Sequence, residues 1–309
     1  MDKLTDLKVK SYDYEDLFKE YNLLKHYKCV NTFNIVRLKI SNTDRVFVNT
    51  LRRIMISMLP AKRFECHNTP QISNGVINYI IPAEIKYRLE LLQISYDIDP
   101  SLIFELRFKN NTFTPTSVTT DHFICTSNPK IKLTDYMNYI DNILTLQPGG
   151  FIKMDNIRIV ENNVASNARF AVVTSCGFSC EQLGPDSIEA TVSETNRTYN
   201  MVFRYCEKYD VKELFKQVSE ILISKLDLVP ENTIDFDDRF EITFGELYTI
   251  SNIIYENVIE YHKDIIIKQV IGDETRISTL KIYDLNNKKI INEIISKMIT
   301  RIKAFVSQF

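Results

Sequence analysis

One order of elements occurs twice in this chain, and it constrains the fold more than any other feature. Residues 33–40, FNIVRLKI, alternate as a half-buried strand does. In SNTDRVFVNTLRRIMISMLP, residues 41–60, Ser41, Asn42, Thr43 and Asp44 offer N-cap oxygens. Phe47, Leu51, Ile54, Met55 and Met58 then follow at helical spacing, and Pro60 stops the helix. At 239–260 the order returns, with RFEI as a strand and about 243–260 as an amphipathic helix. A long amphipathic helix closes each unit. The first, 210–228, carries Val211, Leu214, Phe215, Val218, Ile221, Leu222 and Leu226; the second, 288–306, carries Ile291, Ile294, Ile295, Met298, Ile302 and Phe305. Each apolar stripe must be buried against another element. The expectation is an α+β fold holding two copies of one unit.

Between the first pair of helices the pattern changes. SLIFELRFKN, HFICTS, DNILTLQ, FIKMDNIRIV and RFAVVTSC read as short strands separated by breaks such as QPGG at 147–150. The expected organisation is a discontinuous first unit, 1–66 plus 199–228, and a β-rich insert at 67–198. A linker at 229–238 (VPENTIDFDD) leads to a second, smaller unit at 239–309. Residues 1–27 are polar and Tyr-rich, with a short amphipathic stretch around Leu17 to Leu24.

Composition removes several kinds of function. Seven glycines in 309 residues leave little for a phosphate-cradling loop. Thirty-eight Lys and Arg against 40 Asp and Glu give a net charge of −2, which provides no whole-chain field for autonomous nucleic-acid binding. Six scattered cysteines, a charged N-terminus and the lack of a long apolar run point to a reduced, intracellular, soluble protein with no membrane segment. Cys176 and Cys180 have C-x₃-C spacing, but no second ligand pair stands near them, and structural zinc needs four ligands. Cys66 and His67, being adjacent, point apart on a strand. Asp235, Asp237 and Asp238 lack the glycine and closing glutamate of a calcium loop. Lys288, Lys289, Lys297, Arg301 and Lys303 are the polar side of an amphipathic helix. No catalytic, cofactor or metal residue is expected, and a hydrolase built on a Cys or Asp cluster is disfavoured by the lack of a triad.

The stretch at 41–60 resembles the signature helix of the alpha-type assembly subunits of multisubunit DNA-dependent RNA polymerases. The matching residues are Asn49, Leu51, Arg52, Arg53, Ile54 and Pro60. IIPAEIKYRLELLQIS at 80–95 is similar to that family's segment with an Arg-Leu pair and a short strand, and NNVASNARFAVVTSC at 162–176 to its late insert stretch. The helix at 210–228 falls where the family's second dimerisation helix falls. Thr243, Phe244 and Gly245 resemble the motif that opens the first helix of the small alpha-like partner. The likeness runs collinearly from about 33 to 309. It implies two alpha-like dimerisation units in tandem, the first carrying the insert, in one chain where cellular polymerases use two. A fusion of this kind is a feature of polymerases of large cytoplasmic DNA viruses, and the Ile-, Asn-, Lys- and Tyr-rich composition suits an AT-rich genome. There are departures. Only Cys66 and Cys125 lie near the position of the four-cysteine zinc loop of some relatives, and nothing remains to form the bacterial C-terminal DNA-binding domain.

The resemblance implies a non-catalytic assembly subunit. Its partners would be the second-largest and largest polymerase subunits and other small polymerase subunits, with DNA and RNA met only through the complex. It would be found in the virion and host cytoplasm if viral, otherwise in the nucleus or cytoplasm. With Leu51 at zero on a wheel of about 100° per residue, Phe47, Ile54, Met55 and Met58 cluster beside it. With Leu214, Val218, Leu222, Phe244, Leu247, Ile294 and Met298 they form the expected dimerisation seam. Val46, Asn49, Arg53 and Ile56 lie on the far side. The wheel alone leaves two readings of that side, scattered surface aliphatics or a second interface. The resemblance favours an interface made by Asn49, Arg52, Arg53 and Ile56, with the Arg53 guanidinium giving a planar, two-pronged contact. An alpha-like structural adaptor outside a polymerase is the alternative.

Overall fold

The structure is a computed structural model. It describes residues 2–13, 32–73, 81–137, 142–181, 197–205, 210–236, 239–244, 248–261, 266–271, 278–283 and 288–309. The chain runs through β1 (Lys3–Asp13), β2 (Thr32–Thr43), α1 (Arg45–Ser57), β3 (Ala61–Cys66), β4 (Gln71–Ile72) and α2 (Pro82–Glu90). Then come β5 (Ile103–Lys109), β6 (Thr116–Thr119), β7 (Phe123–Cys125), β8 (Asn142–Leu146) and β9 (Phe151–Asn162). β10 (Val173–Cys180), β11 (Arg197–Tyr205) and α3 (Val211–Asp227) follow. The last stretch holds β12 (Thr233–Asp235), β13 (Phe240–Phe244), α4 (Tyr248–Tyr261), β14 (Ile266–Ile271), β15 (Ser278–Tyr283) and α5 (Lys288–Val306). The fold class is α+β.

The first sheet is antiparallel in the order β1-β2-β11-β10. Val36, Leu38 and Ile40 of β2 are buried on the face that the helices cover, while Arg37 and Lys39 point away. α1 begins where Asp44 accepts a hydrogen bond from the Phe47 backbone N–H at 2.6 Å, so of the four cap candidates Asp44 takes the role. Asn42, just before it, takes the left-handed conformation (φ 57°) that asparagine tolerates. A second antiparallel sheet runs β12-β13-β15-β14. Phe240, Ile242 and Phe244 of β13 and Leu280 and Ile282 of β15 are buried where α4 packs on both strands, in a core that α5 also joins.

A third antiparallel sheet, β3-β9-β5-β7 with β4 also on β9, forms a separate apolar core with α2 around Phe64, Phe104, Phe123 and Ile157. Its ring contacts include a Phe64–Phe123 stack at 5.4 Å and an edge contact between Phe64 and Phe104 at 5.7 Å. Gln147-Pro148-Gly149-Gly150 make a tight turn closed by the Gly150 N–H to the Gln147 carbonyl at 2.9 Å. Gly149, at φ 78°, occupies the position in that turn that favours glycine.

The pairings differ from the expected boundaries at three places. Ala61–Cys66, assigned from sequence to the first unit at 1–66, pairs with β9 of the insert sheet. Ala61 still belongs to the first core, whereas Phe64 and Cys66 belong to the insert core, so β3 is shared between the two. Val173–Cys180, assigned to the insert at 67–198, pairs with β11 in the first sheet, where Cys176 and Phe178 pack on the first core. Alternation reveals a strand but not its neighbour. The third place is the expected linker at 229–238. There Val229 is buried and Thr233–Asp235 adds an edge strand to β13. β1, which the sequence did not reveal, pairs along β2, and Leu17 to Leu24 lie outside the described residues.

Candidate subunit interface

The seam residues come together in one core. Phe47, Leu51, Ile54 and Met55 of α1 are buried, and Met58 packs half-buried at the edge. Leu214, Val218 and Leu222 of α3 join them, as do Phe244, Ile294 and Met298 from the second half of the chain. α1 packs on α3 and α4, and α5 packs on α3 and α4. Leu247 and Gly245 lie outside the described residues. A run of rings crosses between the halves, adding Phe203 and Phe309 to the Phe47, Phe215 and Phe305 that helical spacing marks. Phe203 meets Phe215 at 5.9 Å, Phe215 meets Phe305 edge-on at 6.0 Å and stacks on Phe309 at 4.3 Å, and Phe305 meets Phe47 edge-on at 5.7 Å. Each such pair contributes about 0.5–1.5 kcal/mol beyond its burial.

Arg301 locks this junction. Its Nε and Nη2 donate to the two carboxylate oxygens of Asp2, each at 2.7 Å. Nη1 lies 2.8 Å from Asp44 Oδ2, Nη2 reaches Thr43 Oγ1 at 3.2 Å, and the guanidinium sits 4.3 Å from the centre of the Phe47 ring. Burial by itself would lower the Arg301 pKa, but the hydrogen bonds and charges of Asp2 and Asp44 outweigh it and hold the guanidinium charged. Gln308 adds a bond from its amide to the Asp2 carbonyl and takes one from the Leu4 N–H, both at 2.8 Å. Asp44 thus serves twice, as the cap of α1 and as a partner of α5. The sequence reading left Arg301 among the polar residues of the last helix. Its partners are 299 and 257 positions away in the chain, and no local pattern marks such a pair.

The proposed outer interface is less open than the wheel suggests. Asn49, Arg52, Arg53 and Ile56 are all half-buried, because β10 packs beside α1. Arg52 Nε donates to Asn49 Oδ1 at 3.0 Å, so those two form one polar unit. Arg53 is half-buried with interactions inside the chain, which differs from an exposed position free to meet a partner.

A second polar cluster, not foreseen from sequence, fixes the insert to the first unit. Arg63, fully buried on β3, donates to the carbonyls of Lys62 (2.9 Å), Arg169 (2.9 Å) and Ala171 (3.0 Å). Glu90 of α2 accepts from the Cys66 N–H at 3.1 Å and from Arg169 Nη1 at 2.7 Å. A buried arginine supplied with acceptors pins the return segment 169–171, as a charge inside a core demands. The sequence signal for it is a Lys62-Arg63 pair set inside a strand.

The remaining candidates are dispersed. Cys66 is buried, and burial with the nearby Glu90 charge pushes its thiol up to about 12, while His67 is exposed and lies 3.5 Å from Glu65. Cys176 is half-buried, its thiol likewise pushed up to about 12 by burial, and Cys180 is exposed on the same strand. Among the described residues no group of three or more His, Cys, Asp or Glu could hold a metal ion. Asp235 lies on β12, and Asp237 and Asp238 are outside the described residues. Lys297 pairs with Glu293 at 2.7 Å on one turn of α5. A cavity of about 130 Å³ lined by Pro230, Thr233, Phe240, Ile291 and Asn292 is well below the roughly 300 Å³ of ordinary small-molecule pockets. No protein-family model matches the chain, and comparison with curated proteins returns no match.

Proposed function

We propose that this chain is a non-catalytic assembly subunit of a DNA-dependent RNA polymerase, a fused pair of alpha-like units that docks the second-largest and then the largest subunit. The observation that supports it is the shared core, in which α1 and α3 of the first half pack with α4 and α5 of the second and Arg301 reaches across to Asp2 and Asp44. That arrangement supports reading the chain as a heterodimer made within one polypeptide, the form the resemblance at Asn49, Leu51, Arg52 and Arg53 implies. Both halves bring a sheet with helices on one face, and the strand-then-helix order of β2 and α1 recurs in β13 and α4. Nucleotidyl transfer would belong to the large subunits, with DNA and RNA held by the complex. Among the described residues no helix is long and apolar enough to cross a membrane. An intracellular site of action, in virion and host cytoplasm for a viral chain, belongs to the same proposal.

The test is co-expression with the second-largest subunit, followed by pull-down of α1 variants. Asn49 and Arg52 act as a pair, so Asn49→Ala and Arg53→Ala are tested separately. Each variant also removes an interaction inside the chain, Asn49 with Arg52 and Arg53 with its own neighbours, so each should lose about 1 kcal/mol of chain stability, read from a melt of the variant alone. Each should weaken capture by about 2 kcal/mol or more if a charge-assisted contact is lost at a desolvated interface. Arg53→Lys should restore little, since an ammonium cannot copy the planar fork. Undiminished capture by both alanine variants would remove this helix face from the interface.

A further inference from the structure

The outward face of the first sheet carries basic side chains in register. The pairing of β1 with β2 sets Lys8 directly opposite Arg37, and β11 sets Val202 opposite Arg37 on the other side. Lys39 lies two residues along β2 on the same face, and Arg204 of β11 stands opposite Ile35. Like charges facing each other across strands cost stability, so this register is unfavourable for the chain alone. Among the described residues two acidic ones stand close along these strands. Glu181 is taken by Lys39 at 2.6 Å, and Asp6 sits at the β1 bulge, where the register skips from Thr5 to Lys8. Among the described residues neither Lys8 nor Arg37 forms an ion pair, and both are exposed. On the far side of the face, Ser175, Gly177 and Ser179 of β10 are small and exposed, and a side chain added at Gly177 would meet open space.

We propose that this face docks a carboxylate-rich segment of a protein partner. Charge complementarity selects the occupant, since carboxylates set over Lys8 and Arg37 would relieve the cross-strand repulsion that the isolated chain bears. A polypeptide fits better than a nucleic acid on two grounds. The chain as a whole carries a charge of −2 and so lacks the wide basic field that holds a phosphate backbone. Val202, 42% exposed at the centre of the face and flanked by Gly177, offers an apolar contact and close approach that apolar side chains between carboxylates would use. The inference does not depend on the polymerase reading, because it rests on the register, charge and exposure of this face.

The test uses the full chain and two probes, a fluorescent peptide of about a dozen residues alternating glutamate and valine, and a single-stranded DNA of equal charge. Binding is followed by anisotropy at low salt. Wild type should bind the peptide, and Lys8→Glu should weaken it about tenfold or more, since the new carboxylate both repels the peptide and occupies Arg37. The same variant should melt no lower than wild type, because it replaces a like-charge pair by an opposite pair. Lys130→Glu, in the insert away from this sheet, should leave binding unchanged. Failure of wild type to bind the peptide, equal binding by Lys8→Glu, or an equal loss with Lys130→Glu would overturn the proposal. So would tighter binding of the DNA that Lys8→Glu abolishes, which would make the face a nucleic-acid site.

Discussion

Arg301 joins the last helix to the first residues of the chain through two carboxylates, one of them almost wholly buried at Asp2. Arg301→Ala would leave that carboxylate without its partner, at a cost of about 3 kcal/mol, part of which local release of the N-terminus would relieve. Urea denaturation should show the loss, and Arg301→Lys should recover only a fraction of it because lysine cannot fork to Asp2 and Asp44 together. A loss below about 0.5 kcal/mol would mean the clamp contributes nothing to the fold. The thiols make a second prediction. Cys66 and Cys176 are pushed from an ordinary 9.0 up to about 12, chiefly by burial. A thiol raised in the folded state contributes stability that is complete below pH 9 and is lost as pH rises toward 12. The urea midpoint should therefore fall across that window. In native alkylation at pH 8, peptide mapping should find exposed Cys180 labelled well before Cys66. Equal labelling rates would contradict the burial of Cys66.

At the scale of elements, α1 is the piece on which the rest is assembled, with α3 and α4 on one side and β10 alongside. Leu51→Ala should cost about 2–5 kcal/mol, the range for truncating a buried leucine, whereas Ile56→Ala on the half-buried side should cost less than about 1.5 kcal/mol. Thermal and urea melts of the two variants distinguish the faces, and equal losses would mean that α1 is not oriented as described. The four helices of the shared core, α1, α3, α4 and α5, could be read from sequence because each is amphipathic over several turns, and the buried residues of α1 and α3 match that spacing. The edges of sheets could not. β1, KLTDLKVKSYD, is rich in charge because an edge strand buries little, and its identity comes from pairing with β2. β3 and β10 are visible as strands, but which sheet each joins depends on neighbours about 100 and 20 residues away, Ile159 opposite Phe64 and Met201 opposite Phe178. The shared burial of Phe47, Leu51, Ile54, Leu214, Val218, Leu222, Ile294 and Met298 was readable for the same reason as the helices. The Arg301 clamp and the Arg63 cluster were not, because both join residues remote in sequence.

For the molecule as a whole, the described residues place two sheets and four helices in one core built from the two ends of the chain, and the insert adds a second core joined to it through β3. On the proposed reading, carrying both alpha-like units in one chain replaces a bimolecular association by a folding step, which removes the translational and rotational cost of bringing two subunits together. Under the same proposal the platform is assembled as soon as the chain folds, and its remaining surfaces would serve larger partners. The most direct measurement is mass spectrometry of proteins recovered with the tagged full-length chain from its native source. The predicted result is the largest and second-largest subunits of a DNA-dependent RNA polymerase in near-equal amount with the tagged chain. Recovery of the chain with neither large subunit, under conditions where the polymerase itself stays intact and active, would contradict it.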